Sequence, residues 1–252
     1  MPIAMTRPVS PRMGECELTY LPRVVIDVEL ARAQHDEYQA ALAALGCQRV
    51  PLPPEPDLPD SIFVEDTAIV LAEAAIITRP GAASRRPETE SVARALEPHR
   101  HLIFIQTPGT LDGGDVLRVG HTLYVGSSNR SNAAGIEQLA AAVAPFSYAV
   151  VPVPVGGCLH LKSAVTQVGP NALLVNRQLV DAGYFPGMDL IDVDPAEPSA
   201  ANALLVGDQV IYPASFPYTL KRLRDRGIRV KCVDVSEVEK AEGAVTCCSL
   251  VF

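Results

Sequence analysis

Apolar residues recur along the chain as pairs of short runs separated by a turn. Four segments share this order, and short apolar runs bounded by turn residues are typical of β-strands. The turns are short and mostly contain glycine, which suits two antiparallel strands joined as a hairpin. The four segments are DTAIVLAEAAIITRPG from Asp66, DVLRVGHTLYVGSS from Asp115, SAVTQVGPNALLVNR from Ser163 and ANALLVGDQVIYPAS from Ala201.

Helical patterns alternate with these hairpins. Residues 29–45 place leucines and alanines near one face, and Gly46 fits the position after a helix end. Pro87, followed by Glu88 and Glu90, suits a first helical turn. Further helices are predicted over 131–144, 177–182 and 215–226, and strand-like runs follow the five helices at 48–52, 102–106, 148–153, 190–193 and 228–235.

A fifth apolar run, CCSLVF, begins at Cys247 and lacks a partner strand. The repeated unit is hairpin, helix, strand, and repeats of this kind bury a shared core by packing side by side. We therefore predict an α/β fold in which five units close into a ring. The segment near Leu18 is expected to complete the fifth hairpin, with residues 24–26 as a following strand. An ordinary mixed α/β domain is the alternative.

Composition narrows the class of protein. The 252 residues are 48% hydrophobic and 20% charged, which is typical of a soluble globular protein of one or two domains. The net charge of −8 argues against sequence-independent binding to nucleic acid or to an anionic membrane. The N-terminus lacks a signal-peptide pattern, and prolines interrupt the uncharged stretch 138–161, so neither secretion nor a membrane span is expected.

The six cysteines are scattered and form no C-x-x-C pair. A structural zinc site is therefore not expected, and we predict reduced thiols in the cytoplasm. The cysteines are Cys16, Cys47, Cys158, Cys232, Cys247 and Cys248.

Polar residues that could take part in catalysis or binding stand at or near the starts of the repeats. A ring would bring them together at one end of its axis, where a cysteine and a histidine suggest a nucleophile with an acid–base partner. A carboxylate would orient the histidine, and further acids would hold a guanidinium through charge-assisted hydrogen bonds. These residues are Asp60, Glu65, Asp66, Asp112, His160 and Cys247.

Each of these residues also has a purely structural interpretation. The sequence from Asp112 to Asp115 suits a plain turn, His160 suits a core position between two leucines, and Cys247 suits a buried position in a terminal strand. Cys247 and Cys248 cannot point to the same face of a strand, because side chains alternate. One is expected to face the site and the other the packing behind it.

Six motifs in order resemble the dimethylarginine dimethylaminohydrolases of the pentein superfamily. They cover nearly the whole chain: LPDSIFVEDTAIV (58–70), ITRPGAASRR (77–86), TLDGGDVL (110–117), SNRSN (128–132), LHLKS (159–163) and EGAVTCCSLVF (242–252). The resemblance implies a five-bladed α/β propeller with pseudo-fivefold symmetry. It also implies hydrolysis of Nω-methylated arginines to citrulline and a methylamine, with no metal and no organic cofactor.

The resemblance further implies roles for individual residues. Cys247 corresponds to the nucleophile, His160 to the general acid and base, and Asp112 to the carboxylate that orients the histidine. Asp66 corresponds to the residue that grips the guanidinium. The remaining substrate-binding positions correspond to Leu18, Asp60, Glu65, Arg85, Arg130 and Ala244.

Other members of the superfamily supply the alternatives. An arginine deiminase would carry an added helical domain, for which the step from the first to the second repeat leaves no room. Amidinotransferases are longer, and a non-catalytic pentein would have no reason to keep this set of residues. We therefore expect residues 1–252 to form one catalytic domain that binds a methylated arginine; a homodimer is compatible with the sequence.

Overall fold

The computed structural model describes residues 1–252 and contains fifteen strands and six α-helices. The strands are β1 Ile3–Thr6, β2 Gln48–Pro51, β3 Ala68–Val70, β4 Ala74–Ile77, β5 His101–Phe104, β6 Val116–Val119, β7 Thr122–Ser127, β8 Ala149–Pro154, β9 Val165–Gly169, β10 Ala172–Val175, β11 Asp189–Asp192, β12 Leu204–Val206, β13 Gln209–Pro213, β14 Arg229–Val233 and β15 Leu250–Val251. The helices are α1 Val28–Ala44, α2 Glu88–Leu96, α3 Ala133–Val143, α4 Leu161–Ala164, α5 Pro217–Asp225 and α6 Ser236–Glu239.

The strands form five sheets of three, in the orders β3-β4-β5, β6-β7-β8, β9-β10-β11, β12-β13-β14 and β15-β1-β2. In each sheet the first two strands pair antiparallel and the third pairs parallel with the middle one. A parallel neighbour requires a crossover connection, and in four of the sheets an α-helix provides it. The predicted unit of hairpin, helix and strand is confirmed in three of these four, and in the sheet β15-β1-β2 the two ends of the chain supply the antiparallel pair.

The five sheets close into a ring. Each of the five hydrophobic clusters joins two neighbouring sheets, and the last joins the fifth sheet to the first through Met5, Leu250 and Ile77. A cavity of about 400 Å³ is lined by residues from the first strand of every sheet, so these strands surround a common axis. The sheets are the five blades of an α/β propeller, as predicted.

The fifth blade is built from other strands than predicted. The partner of β15 is β1, with Ala4 opposite Val251, and not the segment near Leu18. Residues 24–26 form no strand, because Val24 and Val25 are 48% and 88% exposed and face no sheet. The C-terminal strand is also shorter than CCSLVF, since both cysteines lie in the turn before it.

The predicted helix over 177–182 is wrong. Between β10 and β11 the chain forms turns and a short 3-10 helix, Ala182–Tyr184. The Asp181 carboxylate accepts the backbone N–H of Gly183 at 2.8 Å, a local bond that competes with helical hydrogen bonds. The third blade therefore lacks the outer helix that the other four have.

The longest helix, α1, begins and ends within one residue of the prediction. The Asp27 side chain accepts the backbone N–H groups of Glu29 and Leu30, which caps the helix N-terminus. Gly46 follows the helix with φ of 86°, a left-handed conformation that glycine adopts without strain. Across the whole chain, no helix combines the length and the apolar character needed to cross a membrane.

Candidate active site

The residues before the first strands meet at one end of the ring, as the sequence predicts. Asp66 lies in a 3-10 turn before β3, and Asp112 directly precedes a second 3-10 turn before β6. His160 precedes α4, which leads into β9, and Cys247 lies in the turn before β15. Since these are equivalent parts of successive repeats, the ring carries their side chains to a common site.

The His160 ring lies between two carboxylates. Its Nε2 is 3.0 Å from Oδ2 of Asp112, and its Nδ1 is 3.8 Å from Oδ1 of Asp66. Burial disfavours the charged ring, but the charge of Asp66 and the hydrogen bond to Asp112 outweigh burial and raise the pKa of His160 to about 9. His160 is therefore an imidazolium at neutral pH, and Nδ1 is the nitrogen left to exchange a proton with a bound molecule.

The two glycines after Asp112 are required by close packing. A Cβ on Gly114 would lie 2.5 Å from Nδ1 of His160 and 2.7 Å from Oδ1 of Asp66, and a Cβ on Gly113 would overlap the carbonyl oxygen of Glu65. Neither glycine has a positive φ. The Asp-Gly-Gly-Asp motif is thus more than a turn, because it lets the histidine and the carboxylate approach the backbone.

Asp66 is a buried carboxylate with a cation beside it. Its Oδ2 accepts from Nη1 of Arg85 at 2.6 Å, and its Oδ1 accepts from the backbone N–H of Gly114 at 2.9 Å. Burial favours the neutral acid, but His160 and Arg85 outweigh burial and lower the pKa of Asp66 to about 2. Asp66 therefore presents a negative charge at any pH near neutrality.

Arg85 uses most of its N–H groups inside the protein. Its Nε and Nη2 donate to the two oxygens of Glu88 at 3.2 and 2.8 Å, and Nη2 also donates to the carbonyl of Phe63 at 3.0 Å. With the bond to Asp66, four of the five guanidinium N–H groups are engaged. Arg85 therefore orients Asp66 and keeps one N–H for a ligand.

Arg130 and Asp60 are buried charges without an ion-pair partner. Arg130 is 8% exposed and donates from Nη2 to the hydroxyl of Thr19 at 3.2 Å. Asp60 accepts the backbone N–H of Glu17 through both oxygens, at 3.2 and 3.1 Å, and burial raises the pKa of Asp60. Both side chains line one recess, where a cation and an anion suit the carboxylate and ammonium of an amino acid.

Residues 17–21, which we term the covering segment, border the site from above. Glu242 accepts the backbone N–H groups of Thr19 at 3.0 Å and of Tyr20 and Leu21 at 2.5 Å each. Glu242 itself has φ of 57°, a left-handed conformation that is uncommon for glutamate. One carboxylate thus fastens three consecutive residues of the covering segment.

Glu65 and Lys162 form the floor of the site. Lys162 Nζ lies 2.5 Å from Oε1 of Glu65, and the hydroxyl of Thr246 donates to Oε2 of Glu65 at 2.7 Å. All three residues line both the cavity on the ring axis and the cavity beside Cys247, so they separate the two. Both Glu65 oxygens are engaged within the protein, and its expected contact with substrate stays a prediction.

The two adjacent cysteines face different surroundings, as predicted. Cys247 lines the site, whereas Cys248 is 1% exposed and packs in the hydrophobic cluster beside α1. Burial and the charges of Glu65 and Asp66 raise the pKa of Cys247 to about 12. The resting thiol is therefore neutral at pH 7.

Two adjoining cavities make up the site, and His160 and Cys247 line both. The smaller is a recess of about 20 Å³ between the covering segment and the ring, and the larger, of about 490 Å³, opens beside it. Ala244 lines the larger cavity, whereas Leu18 is half-buried against the cluster beside α1 and lines neither cavity, so its role stays a prediction. The recess is lined by Asp60, Asp66, Arg85, Arg130, His160 and Cys247, among others.

Asp66, Asp112 and His160 bring three ligand-type atoms within 4.8 Å of one another. These groups already have partners, since Arg85 and Gly114 bond to Asp66, and Asp112 accepts from Gly81 at 2.9 Å as well as facing His160. The cluster is an ion-pair network around an imidazolium, and the guanidinium of Arg85 would repel a further cation. The expectation that the protein uses no metal and no organic cofactor stays a prediction.

Sequence reasoning gave no role to several residues that build the site. Lys162 and Thr246 stand next to His160 and Cys247 within the same motifs, and this adjacency was the available signal. No signal in the sequence marked Glu88 or Glu242, because charged residues in a helix or a loop usually face solvent. Their partners lie in other parts of the chain and become neighbours through folding.

Comparisons with known proteins identify the relatives of this chain. A family model described as "N,N dimethylarginine dimethylhydrolase, eukaryotic" matches residues 23–183. An N(G),N(G)-dimethylarginine dimethylaminohydrolase from Streptomyces coelicolor is 43% identical over 249 residues, which is 98% of this chain and 95% of that protein. The enzyme of the same name from Pseudomonas aeruginosa is 37% identical over 229 residues, 90% of each chain.

The fold also has a close match among solved structures. DDAH from Pseudomonas aeruginosa, in a cysteine-to-serine mutant complexed with citrulline, superposes with a TM-score of 0.95 at 34% sequence identity. The match covers 99% of this chain and 98% of that one.

Proposed function

The chain belongs to the dimethylarginine dimethylaminohydrolase family, and on that basis we propose that it hydrolyses asymmetric dimethylarginine and monomethylarginine. The products would be L-citrulline and dimethylamine or methylamine. The observation that carries this proposal is the recess where Cys247, His160 and two buried acids, Asp60 and Asp66, meet. A thiol, a proton carrier and paired anions are what hydrolysis of a guanidinium requires.

The unpaired charges suggest how the substrate lies. We place the α-carboxylate on Arg130 and the one remaining N–H of Arg85, and the α-ammonium on Asp60. The guanidinium then reaches Asp66, whose oxygens have lone pairs left beside the bonds from Arg85 and Gly114. This pose directs the central guanidinium carbon toward Cys247 and the methylated nitrogen toward Nδ1 of His160.

The reaction has two steps in this arrangement. The Cys247 thiol first loses its proton to solvent. The resulting thiolate forms a C–S bond to the guanidinium carbon, and His160 gives its proton to the methylated nitrogen, which leaves as the amine. Water then loses a proton to His160 and attacks the same carbon of the S-linked intermediate. The C–S bond breaks, citrulline leaves and the Cys247 sulfur is regenerated. Covalent catalysis divides one difficult step into two easier ones.

The substrate's own charge helps to form the nucleophile. Glu65 and Asp66 surround Cys247 with negative charge, which keeps the thiol protonated in the free protein. A bound guanidinium neutralises part of that charge and favours the thiolate. Asp112 stabilises the imidazolium through its hydrogen bond to Nε2.

We treat residues 1–252 as one catalytic unit, because every blade contributes a residue to the site or its floor. The six free cysteines support a reducing compartment, and we assign the protein to the cytoplasm on that ground. The net charge of −8 favours a cationic small molecule over nucleic acid as its partner.

One assay tests the proposed reaction. The protein is incubated separately with asymmetric dimethylarginine, monomethylarginine, arginine and agmatine, and citrulline, dimethylamine, methylamine and ammonia are measured. We expect citrulline with dimethylamine or methylamine. Preferred release of ammonia from arginine would assign the protein to deiminase chemistry, and no product from any substrate would assign it to a binding role.

The adjacent cysteines provide a matched pair of variants. Cys247→Ser should lose turnover by a factor of about 10³ or more, because the nucleophile is gone, while Cys248→Ser keeps most of it. Mass spectrometry of His160→Gly with substrate should show an adduct on the peptide that carries Cys247. An adduct on Cys248, or full activity of Cys247→Ser, would contradict the assignment.

A further inference from the structure

Asp115 is a fully buried carboxylate that no step of the proposed reaction uses. It ends the 3-10 turn Gly113–Asp115 before β6 and is 0% exposed. It lines neither cavity of the site, and no lysine or arginine pairs with it. A buried carboxylate without a cation is costly, so the interactions that compensate for its burial are informative.

Three groups from two segments of the site donate hydrogen bonds to Asp115. Its Oδ1 accepts the backbone N–H of Leu161, the residue after His160, at 2.9 Å. Its Oδ2 accepts the hydroxyls of Ser128 and Ser131 at 2.6 and 2.7 Å. Leu161 belongs to the third blade, whereas the two serines follow β7 in the second.

The two serines extend these contacts to other functional residues. Ser128 Oγ accepts the backbone N–H of Arg130 at 3.0 Å, and Ser131 Oγ accepts the backbone N–H of Asp112 at 3.1 Å. Asp115 is therefore one or two hydrogen bonds from the backbone of the proton carrier, of its orienting acid and of the unpaired arginine.

The charge of Asp115 also acts on His160. The carboxylates of Asp66, Asp112 and Asp115 all favour the imidazolium, while burial opposes it. Arg85 offsets part of the charge of Asp66, and the Cys247 thiol borders the same recess. Burial raises the pKa of Asp115, whereas His160 and the three donors lower it.

We propose that Asp115 is a positioning residue of the reaction: its carboxylate fixes the segments that carry Asp112, Arg130 and His160, and its negative charge stabilises the His160 imidazolium. The proposal rests on the proposed function for its effect on turnover. Its effect on His160 itself can be measured without turnover.

Asp115→Asn is the decisive variant. The amide has the shape of the carboxylate, its oxygen can accept from Leu161, and its NH₂ can donate to Ser131 Oγ, which has a lone pair left. The variant therefore removes the charge while keeping most of the geometry. Glu197→Gln is the control, because Glu197 is also buried and accepts two backbone N–H groups, from Tyr218 and Thr219, without lining either cavity.

The first readout is the NMR titration of histidine labelled with ¹³C and ¹⁵N, with His160→Gln used to assign the His160 signal. In Asp115→Asn the titration of His160 should move down by about one pH unit, since one of three nearby negative charges is lost. The alkaline limb of kcat should move with it. In Glu197→Gln neither should move.

The outcomes separate the two hypotheses. An unshifted His160 titration in a folded Asp115→Asn variant, with only a lower melting temperature, overturns the proposal. If Asp115→Asn shifts the His160 titration but the wild-type protein has no activity on methylated arginines, the role of Asp115 stands and the proposed function is overturned.

Ser128→Ala tests the positioning part if Asp115→Asn does not fold. This variant removes the acceptor beneath the Arg130 backbone and leaves the Asp115 charge in place. KM should rise about tenfold with little change in kcat or in the alkaline limb, because Arg130 is displaced and His160 is not. An unchanged KM would overturn the proposal.

Discussion

At the residue scale, Cys247 and His160 are unusual because the resting thiol is neutral while the neighbouring imidazole is protonated. Burial and two nearby acids raise the pKa of Cys247 to about 12, whereas three carboxylates overcome burial and raise the pKa of His160 to about 9. The free protein thus holds a neutral thiol beside an imidazolium. In the proposed reaction, a bound cationic ligand favours the thiolate, so that a thiolate and an imidazolium are present at the same time.

Alkylation of Cys247 in the free protein tests this resting state. Below the pKa the thiolate fraction rises about tenfold per pH unit, so the rate of iodoacetamide labelling should rise by about that factor per unit from pH 7 to 9. Mass spectrometry of the labelled peptide gives the rate, and Cys247→Ser is the blank. A rate that levels off below pH 9 would show a much more acidic thiol.

The motifs located the chemical groups of the site and the pairing of His160 with Asp112, but not the other partners of these groups. Asp66, His160 and Cys247 were predicted because each stands at the start of a repeat. Glu88 and Glu242 were not, because their partners depend on how helices and loops pack in three dimensions. A side chain's type can be read from the sequence, whereas the bond that orients it depends on the fold.

At the scale of elements, hydrophobic periodicity predicted the four hairpins and most helices. It failed where a pattern was too short or misleading. The strand β1 has four residues and no turn that links it to its antiparallel partner, while Val24 and Val25 are apolar but exposed. The helix expected over 177–182 was lost to the local bond between Asp181 and Gly183.

The covering segment forms part of the wall of the recess, through Glu17. The recess of about 20 Å³ is little larger than one water molecule, so we expect a substrate between Asp66 and Arg130 to displace the covering segment. Three backbone N–H groups bonded to Glu242 resist that displacement. Binding therefore competes with the hydrogen bonds of one carboxylate.

Glu242→Gln should loosen the covering segment. The amide has one acceptor oxygen in place of two and no charge, so hydrogen exchange at residues 19–21 should become at least about tenfold faster. Hydrogen-exchange mass spectrometry measures this. Glu237→Gln is the control, because that carboxylate in α6 bonds to Lys240 and to the backbone of Asp27. Equal exchange in both variants would show that Glu242 does not fasten the segment.

At the scale of the whole molecule, the ring gathers ionised groups at its axis, and stability should depend on pH. The pKa of His160 is about 9 in the folded chain against 6.5 for an ordinary histidine. Its contribution is complete below pH 6.5 and is lost as pH rises through 9. His35, whose pKa burial lowers to about 4, affects the pH dependence mainly below pH 7. Glu88 and Cys247, whose pKa values burial raises to about 7 and about 12, also make stability fall as the pH rises above 7.

Urea unfolding of wild type and of His160→Gln between pH 7 and 8.5 measures the effect of His160 by difference. The free energy of unfolding of wild type should fall by about 1 kcal/mol per pH unit more than that of His160→Gln, since the folded wild-type chain holds a proton on His160 that the unfolded chain has released. His121→Gln, in the exposed turn between β6 and β7, should keep the wild-type slope. Equal slopes in wild type and His160→Gln would contradict the assignment.

Each blade of the ring contributes a different chemical group to the site. In the proposed reaction, the first blade supplies the anion for the guanidinium, the second the acid behind the histidine, the third the proton carrier and the fifth the attacking sulfur. The fourth supplies Asn202, which braces Lys162 and Thr246 from below. Each contribution stands just before a strand whose sheet is hydrogen-bonded within its own blade. A substitution there can change one chemical property of the site without rewriting the others, so the symmetric scaffold is suited to the stepwise evolution of an asymmetric centre.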